Sequence, residues 1–127
     1  MLLDALRTFL PMRGFAGETI VVDNDSKDQS AEAVEREFPD VRVIRNPRNL
    51  GFAGGVNVGL RAATQPLVLL LNTDTLVVGD AIPRLLAYAQ THPEAGIVTI
   101  RTTGRNQEGV VVLEFTRATL ILRRDKP

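Results

Sequence analysis

Leu2, Leu3, Leu6, Phe9 and Leu10 recur at helical spacing, and Pro11 closes that segment. Residues 18–23, Glu-Thr-Ile-Val-Val-Asp, form a short β-branched run and predict a strand, with Asn24, Asp25 and Ser26 as the turn after it. Ser26 and Gln29 stand at capping-box spacing. Ala31, Val34 and Phe38 then make one apolar helical stripe, with Glu32, Glu35, Arg36 and Glu37 largely off it, and Pro39 stops the helix. Residues 41–45 nearly alternate and predict a second strand, and residues 46–49 a turn. A glycine-rich segment from Gly51 to Gly55 leads into a helix predicted to run through Gln65.

Residues 67–71, Leu-Val-Leu-Leu-Leu, form a continuous apolar run, the pattern of a buried parallel strand. Asp80 can cap a following helix, Pro83 fits its first turn, and the helix ends near His92 and Pro93. Residues 96–100 and, more weakly, 109–115 are further strand candidates, while 116–126 read as neither helix nor strand. Strand and helix alternate through most of the chain, which predicts a layered α/β/α fold with a mostly parallel sheet.

Ligands of such sheets bind outside the carboxyl ends of the strands. Three polar clusters fall there. Asp23 ends the first strand, where its carboxylate can accept hydrogen bonds from a nucleobase imide or a ribose hydroxyl, or can simply cap a turn with Asn24. The glycines at 51, 54 and 55 precede a helix, let a backbone approach a ligand closely, and place helix-start amides where phosphate is favoured. Their spacing matches neither the dinucleotide fingerprint nor the Walker loop, and a tight turn with close helix–sheet packing is the alternative reading. Asn57 lies one turn into that helix. Asn72 and Asp74 end the apolar run and, by strand alternation, point the same way. An amide oxygen and a carboxylate facing one point suit a hard divalent cation that keeps water and substrate phosphates in its shell. A turn or helix cap is the competing account.

Composition narrows the classes. The 127 residues fit one domain, and 44% are hydrophobic, enough for a packed core. Fifteen basic residues balance fifteen acidic ones, without the surplus a nucleic-acid binder needs. The chain has no cysteine, which excludes a disulfide scaffold, a thiolate metal site and a cysteine nucleophile. The longest apolar run is too short to span a bilayer, and Asp4 stands where a signal peptide is basic. A cytoplasmic protein is expected, with the inner face of the membrane as a peripheral site. His92 reads as a helix terminator, Arg123 and Arg124 as a solvated tail, and Lys27, Arg45 and Arg48 as charges near the phosphate end.

Taken in order, Val21-Val-Asp-Asn-Asp-Ser-Lys-Asp-Gln-Ser30, Asn49-Leu-Gly-Phe-Ala-Gly-Gly-Val-Asn-Val-Gly59 and Leu69-Leu-Leu-Asn-Thr-Asp-Thr75 resemble the family 2 glycosyltransferases. The nearest likeness is to the bacterial rhamnosyltransferase-like branch, which transfers sugars from nucleotide-diphosphate donors during surface polysaccharide assembly. The resemblance implies a partial glycosyltransferase A (nucleotide-diphospho-sugar transferase) fold. It also implies a dTDP- or UDP-linked sugar donor, a saccharide or lipid-linked acceptor, inversion at the sugar, and Mg2+ or Mn2+. Residues 1–101 would form the donor-binding half, and 102–127 the start of the acceptor side or a tail.

Residue by residue, the likeness implies that Asp23, with Asn24 and Ser26 beside it, contacts the donor's base. Gly54, Gly55 and Asn57 would lie beside the nucleotide, Asp74 would bind the metal, and Asn72 stands where many relatives carry an acid. Two departures stand out. Relatives open with an apolar strand ahead of the first helix, and they carry a catalytic acid well beyond the metal motif. Glu108, Glu114 and Asp125 match no such motif, so no catalytic residue is assigned.

A chain lacking that first, central strand should leave two strands with unpaired edges. They would pair directly, recruit a C-terminal strand, or pair with another chain, a homodimer included. The alternative function is a truncated, non-catalytic nucleotide-binding or assembly module. Haloacid dehalogenase chemistry needs an aspartate nucleophile where Asn72 stands. A sugar nucleotidyltransferase would open with a glycine-rich loop and a basic residue, and this N-terminus has neither.

Overall fold

The computed structural model describes residues 1–12, 17–92, 97–105, 108 and 111–123. In chain order they form α1 (Leu2–Phe9), a 3-10 turn (Leu10–Met12), β1 (Ile20–Asp23), α2 (Ser30–Glu37), β2 (Arg42–Arg45), α3 (Gly51–Ala62), β3 (Leu67–Leu69), α4 (Ala81–Thr91), β4 (Ile97–Arg105) and β5 (Val111–Arg123). The α/β alternation read from the sequence is therefore present. Pro93, Gly96, Gly109 and residues 124–126, which entered the predicted ends of α4, β4, β5 and the tail, lie outside the described residues.

β1 and β2 pair in parallel, from Ile20 opposite Arg42 to Asp23 opposite Arg45. β3 pairs antiparallel with β5, Leu67 opposite Arg123, and β5 pairs antiparallel with β4 along nearly its whole length. Parallel pairing is thus confined, among the described residues, to β1 and β2. The ambiguous stretch after residue 115 is the recruited C-terminal strand. β4 and β5 follow each other closely in the chain, which brings them together antiparallel.

Helix boundaries follow local chemistry. α2 starts at Ser30, not behind a Ser26 cap. Gln29 is its N-cap, in left-handed backbone (φ 59°), and the Asp28 carboxylate accepts from both the Ser30 amide and hydroxyl. Those bonds hold the Asp28 carboxyl below the usual range. Asp80 is the N-cap of α4, but its side chain makes no capping bond. α3 stops at Ala62, short of Gln65, and β3 at Leu69, short of Leu71. His92 ends α4 as a terminator, its ring stacked on Tyr88 at 3.9 Å between centroids.

The tightest core lies between α1, α2, β1 and β2. Leu6, Val34 and Val41 are buried there, and Leu2, Leu3, Leu10, Val21, Phe38 and Val43 pack around them. Outside it, Arg7 ties α1 to α2 through a bidentate pair to Glu37, 2.7 Å from Nε and 2.9 Å from Nη2. The pair raises the Arg7 pKa above its ordinary value.

Candidate functional site

α3 lies across β1, and Gly59 is the contact: a Cβ there would sit 3.3 Å from Val22 Cγ2. This packing brings the start of α3 to the carboxyl end of β1. The junction is an asparagine cluster. Asn24 Oδ1 accepts from Asn46 Nδ2 (3.1 Å) and from the Leu50 amide (3.0 Å). Asn24 Nδ2 donates to Asn49 Oδ1 (2.9 Å) and to the Gly51 carbonyl (3.1 Å). Asn49 Oδ1 also accepts from the Gly51 amide (2.8 Å). Asn46 is the one buried polar residue among those described, 8% exposed, and its amide donates to the Asp23 carbonyl (2.9 Å).

The cluster corrects one expectation. The leading amides of α3, at Leu50 and Gly51, are already taken by Asn24 and Asn49, so these two are not offered to a phosphate. Asn24 is a four-bond clamp first, whatever else it touches. Asn46 and Asn49 read as a bare turn in the sequence. The signal available was a third and fourth polar residue at a strand's carboxyl end, which only the pairing of β1 with β2 brings beside Asn24.

Each candidate residue now has a place. Asp23 Oδ1 accepts from the Ser26 amide, three residues on, at 3.0 Å, while Oδ2 has no partner among the described residues. Gly54 has a packing reason: a Cβ there would lie 2.6 Å from Leu50 Cβ. Gly55 has none, since its Cβ would meet only Asn24 side-chain atoms at 3.7 Å or more. Asn57 is exposed on α3. Asn72 and Asp74 are exposed in the turn after β3, which the Thr75 amide closes on the Asn72 carbonyl (3.1 Å), and since the strand stops at Leu69 the alternation expected to aim both the same way does not extend to them.

A cavity of about 1020 Å³ joins the strands. Asn24, Gly51, Gly55, Asn72 and Asp74 line it, with the facing residues of β1 and β3. Asp23, Ser26, Gly54 and Asn57 lie outside its lining. Of the basic side chains near this end, Lys27 pairs with Asp25, and Arg45 with Glu32 and Glu35. Arg48, exposed, makes no ion pair among the described residues. No group of three or more His, Cys, Asp or Glu side chains able to hold a metal is found among the described residues.

The family model described as "Glycosyl transferase family 2" matches residues 2–119, nearly the whole chain. The chain belongs to glycosyl transferase family 2. Among curated proteins, this family 2 chain is 27% identical over 110 residues to the poly-beta-1,6-N-acetyl-D-glucosamine synthase of Staphylococcus aureus (strain COL), covering 85% of this chain and 27% of that protein. The synthase of the same name from Staphylococcus epidermidis is 26% identical over 110 residues, again 27% of its length. The chain thus spans about a quarter of these relatives. The fold accords with the family: α/β, with the parallel β1·β2 pair of a partial glycosyltransferase A arrangement.

Proposed function

We propose that this chain binds a nucleotide-diphosphate sugar across the carboxyl ends of β1 and β3 and serves in sugar transfer to a polysaccharide or lipid-linked saccharide. One observation carries the reading: in a family 2 chain, Asn24, Gly55, Asn72 and Asp74, from three distant stretches, line one cavity. Asp23, held by the Ser26 amide through Oδ1, presents Oδ2 to the base of the nucleotide. The side-chain-free face of Gly55 lets the diphosphate come close to α3. Asn57, two residues on from Gly55, falls on another face of α3 outside the cavity lining and takes no part in this reading.

The chemistry of the donors, one carboxylate and one amide oxygen in the turn after β3, suits Mg2+ or Mn2+ held loosely. One carboxylate and one amide oxygen suffice for a hard cation that takes its other ligands from water and substrate phosphates. Asp74 and Asn72 would hold it, and when bound it would offset the charge of the departing diphosphate. The transfer proposed is displacement with inversion, on the cytoplasmic side. The printed names of the two synthases support a polysaccharide acceptor. The motif likeness to the rhamnosyltransferase-like branch points to a dTDP donor, so both nucleotides belong in the test.

Titration calorimetry with UDP and with dTDP, each with and without Mn2+, checks the reading. Metal-dependent heat with at least one of them is expected. Absence of heat with both overturns it. A transfer assay on the bare chain then separates turnover from binding alone.

A further inference from the structure

Cavity-lining residues recur along α3 at Phe52, Gly55, Val56, Gly59 and Leu60, with Ala63 just beyond its end, so they form one helical stripe. Burial along the stripe falls toward the carboxyl end of β1. Ala63 is 5% exposed, Val56, Gly59 and Leu60 are half-buried, and Phe52 is 72% exposed. An isolated apolar side chain on a surface needs no explanation. Phe52 differs in kind: it is the aromatic member of the cavity-facing stripe, and it stands at the mouth.

The ring is open to a partner and its backbone is held. Its helix neighbours one turn on are Val56 and Gly55, and Gly55 has no side chain to lay against it. It stacks on no other ring among the described residues. Asn24 Nδ2 donates to the Gly51 carbonyl, the peptide that leads into Phe52, at 3.1 Å, and Asn24 Oδ1 accepts from the Leu50 amide at 3.0 Å. Asn24 directly follows Asp23, so this clamp sets Phe52 beside the residue whose carboxylate Oδ2 is unpartnered among the described residues. The place therefore suits a flat group with an apolar face for the ring and a hydrogen-bonding edge for a carboxylate. A phenyl ring offers nothing to a diphosphate, whereas a pyrimidine base has both features, its imide N–H being the donor at the edge.

We infer that Phe52 is the platform on which the pyrimidine base of the donor nucleotide stacks, with Asp23 taking the imide edge. Stacking tolerates base identity, because every base has a π-face, so Phe52 supplies affinity for uracil and thymine alike and does not choose between them. This role rests on the nucleotide-binding reading above and adds to it the side chain that holds the base.

Calorimetry on wild type, Phe52→Ala and Phe52→Tyr, with UDP, dTDP and inorganic pyrophosphate in the presence of Mg2+, tests it. Phe52→Ala should weaken both nucleotides by about tenfold to a hundredfold, the worth of one stacked base, and leave pyrophosphate and the urea midpoint unchanged. Phe52→Tyr, which keeps the ring, should restore binding to within about threefold of wild type. UDP carries no sugar beyond its ribose, so a loss with UDP assigns the contact to the nucleoside and not to the transferred sugar. The chain has no tryptophan, so Phe52→Trp makes a single reporter at the site, and its emission should be quenched by UDP and dTDP but not by pyrophosphate. Phe52→Ala binding both nucleotides as wild type does, an equal loss of pyrophosphate, or nucleotide bound without quenching of the indole overturns the platform while nucleotide binding stands. Wild type that binds neither nucleotide overturns both.

Discussion

Replacing Asn24 by alanine tests whether the asparagine cluster holds the carboxyl end of β1 against α3. The side chain makes four hydrogen bonds, at 2.9 to 3.1 Å. Three lie at exposed positions, where water takes over, and each is worth about 0.5 kcal/mol. The fourth leaves the Asn46 amide group, in a residue only 8% exposed, without its acceptor. An orphaned buried donor costs about 1–3 kcal/mol. The expected loss is therefore about 3 kcal/mol, roughly two decades in the unfolding constant and a large share of a small domain's stability.

Urea unfolding of wild type and Asn24→Ala, compared at unchanged m, reads that loss. Asn24→Asp sharpens the test. It keeps the shape and both accepted bonds but turns an oxygen toward the Gly51 carbonyl and Asn49 Oδ1, so it should also destabilise. Exchange should speed up in Asn24→Ala at the Leu50 amide, which loses its acceptor, and at the Gly51 amide, whose acceptor Asn49 loses its tether. A loss below about 0.5 kcal/mol in Asn24→Ala, with those amides unchanged, would refute the clamp.

The glycines of α3 should separate by cause. Gly54→Ala puts a Cβ 2.6 Å from Leu50 Cβ and should cost about 1–3 kcal/mol by overpacking, whereas Gly55→Ala meets nothing closer than 3.7 Å and should leave the melt equal or better by about 0.5–1 kcal/mol while weakening nucleotide binding. Gly51→Ala has space around it but sits at φ 71°, and calorimetric unfolding should show a loss of about 1 kcal/mol from backbone strain alone. Glu18 is bonded by the Thr64 hydroxyl and amide, which lower its pKa; its contribution is present above the unfolded value and fades as pH falls through the lowered folded one. The urea midpoints of wild type and Glu18→Gln should therefore differ slightly at neutral pH, by roughly half a kcal/mol given the exposure of the group, and converge below about pH 4. Asp74→Asn should leave stability unchanged and remove the Mn2+ dependence of nucleotide heat; a variant that binds as wild type does would remove Asp74 from the site.

Much of this protein is legible along the chain. Helical and alternating periodicities reach no further than a few residues, so α1, α2, the strands β1 and β2 and the cap position of α4 follow from local pattern. The ordered motifs around Asp23, Gly55 and Asp74 likewise carried the family resemblance, because each is a short contiguous stretch. What the sequence could not specify was pairing between distant segments. The partner of β3 is β5, whose residues beyond 115 show no clear period of their own, and its place is set by the hairpin with β4 and by an open edge on β3. Asn46 and Asn49 looked like turn residues because their hydrogen-bond partner, Asn24, lies more than twenty positions away. The glycines at 54, 55 and 59 look alike in sequence, yet only the packing of α3 on β1 gives each its own neighbour. Local pattern depends on backbone geometry that every short segment carries with it; hydrogen-bond satisfaction and close approach depend on which segments meet, and that is decided when the chain closes on itself.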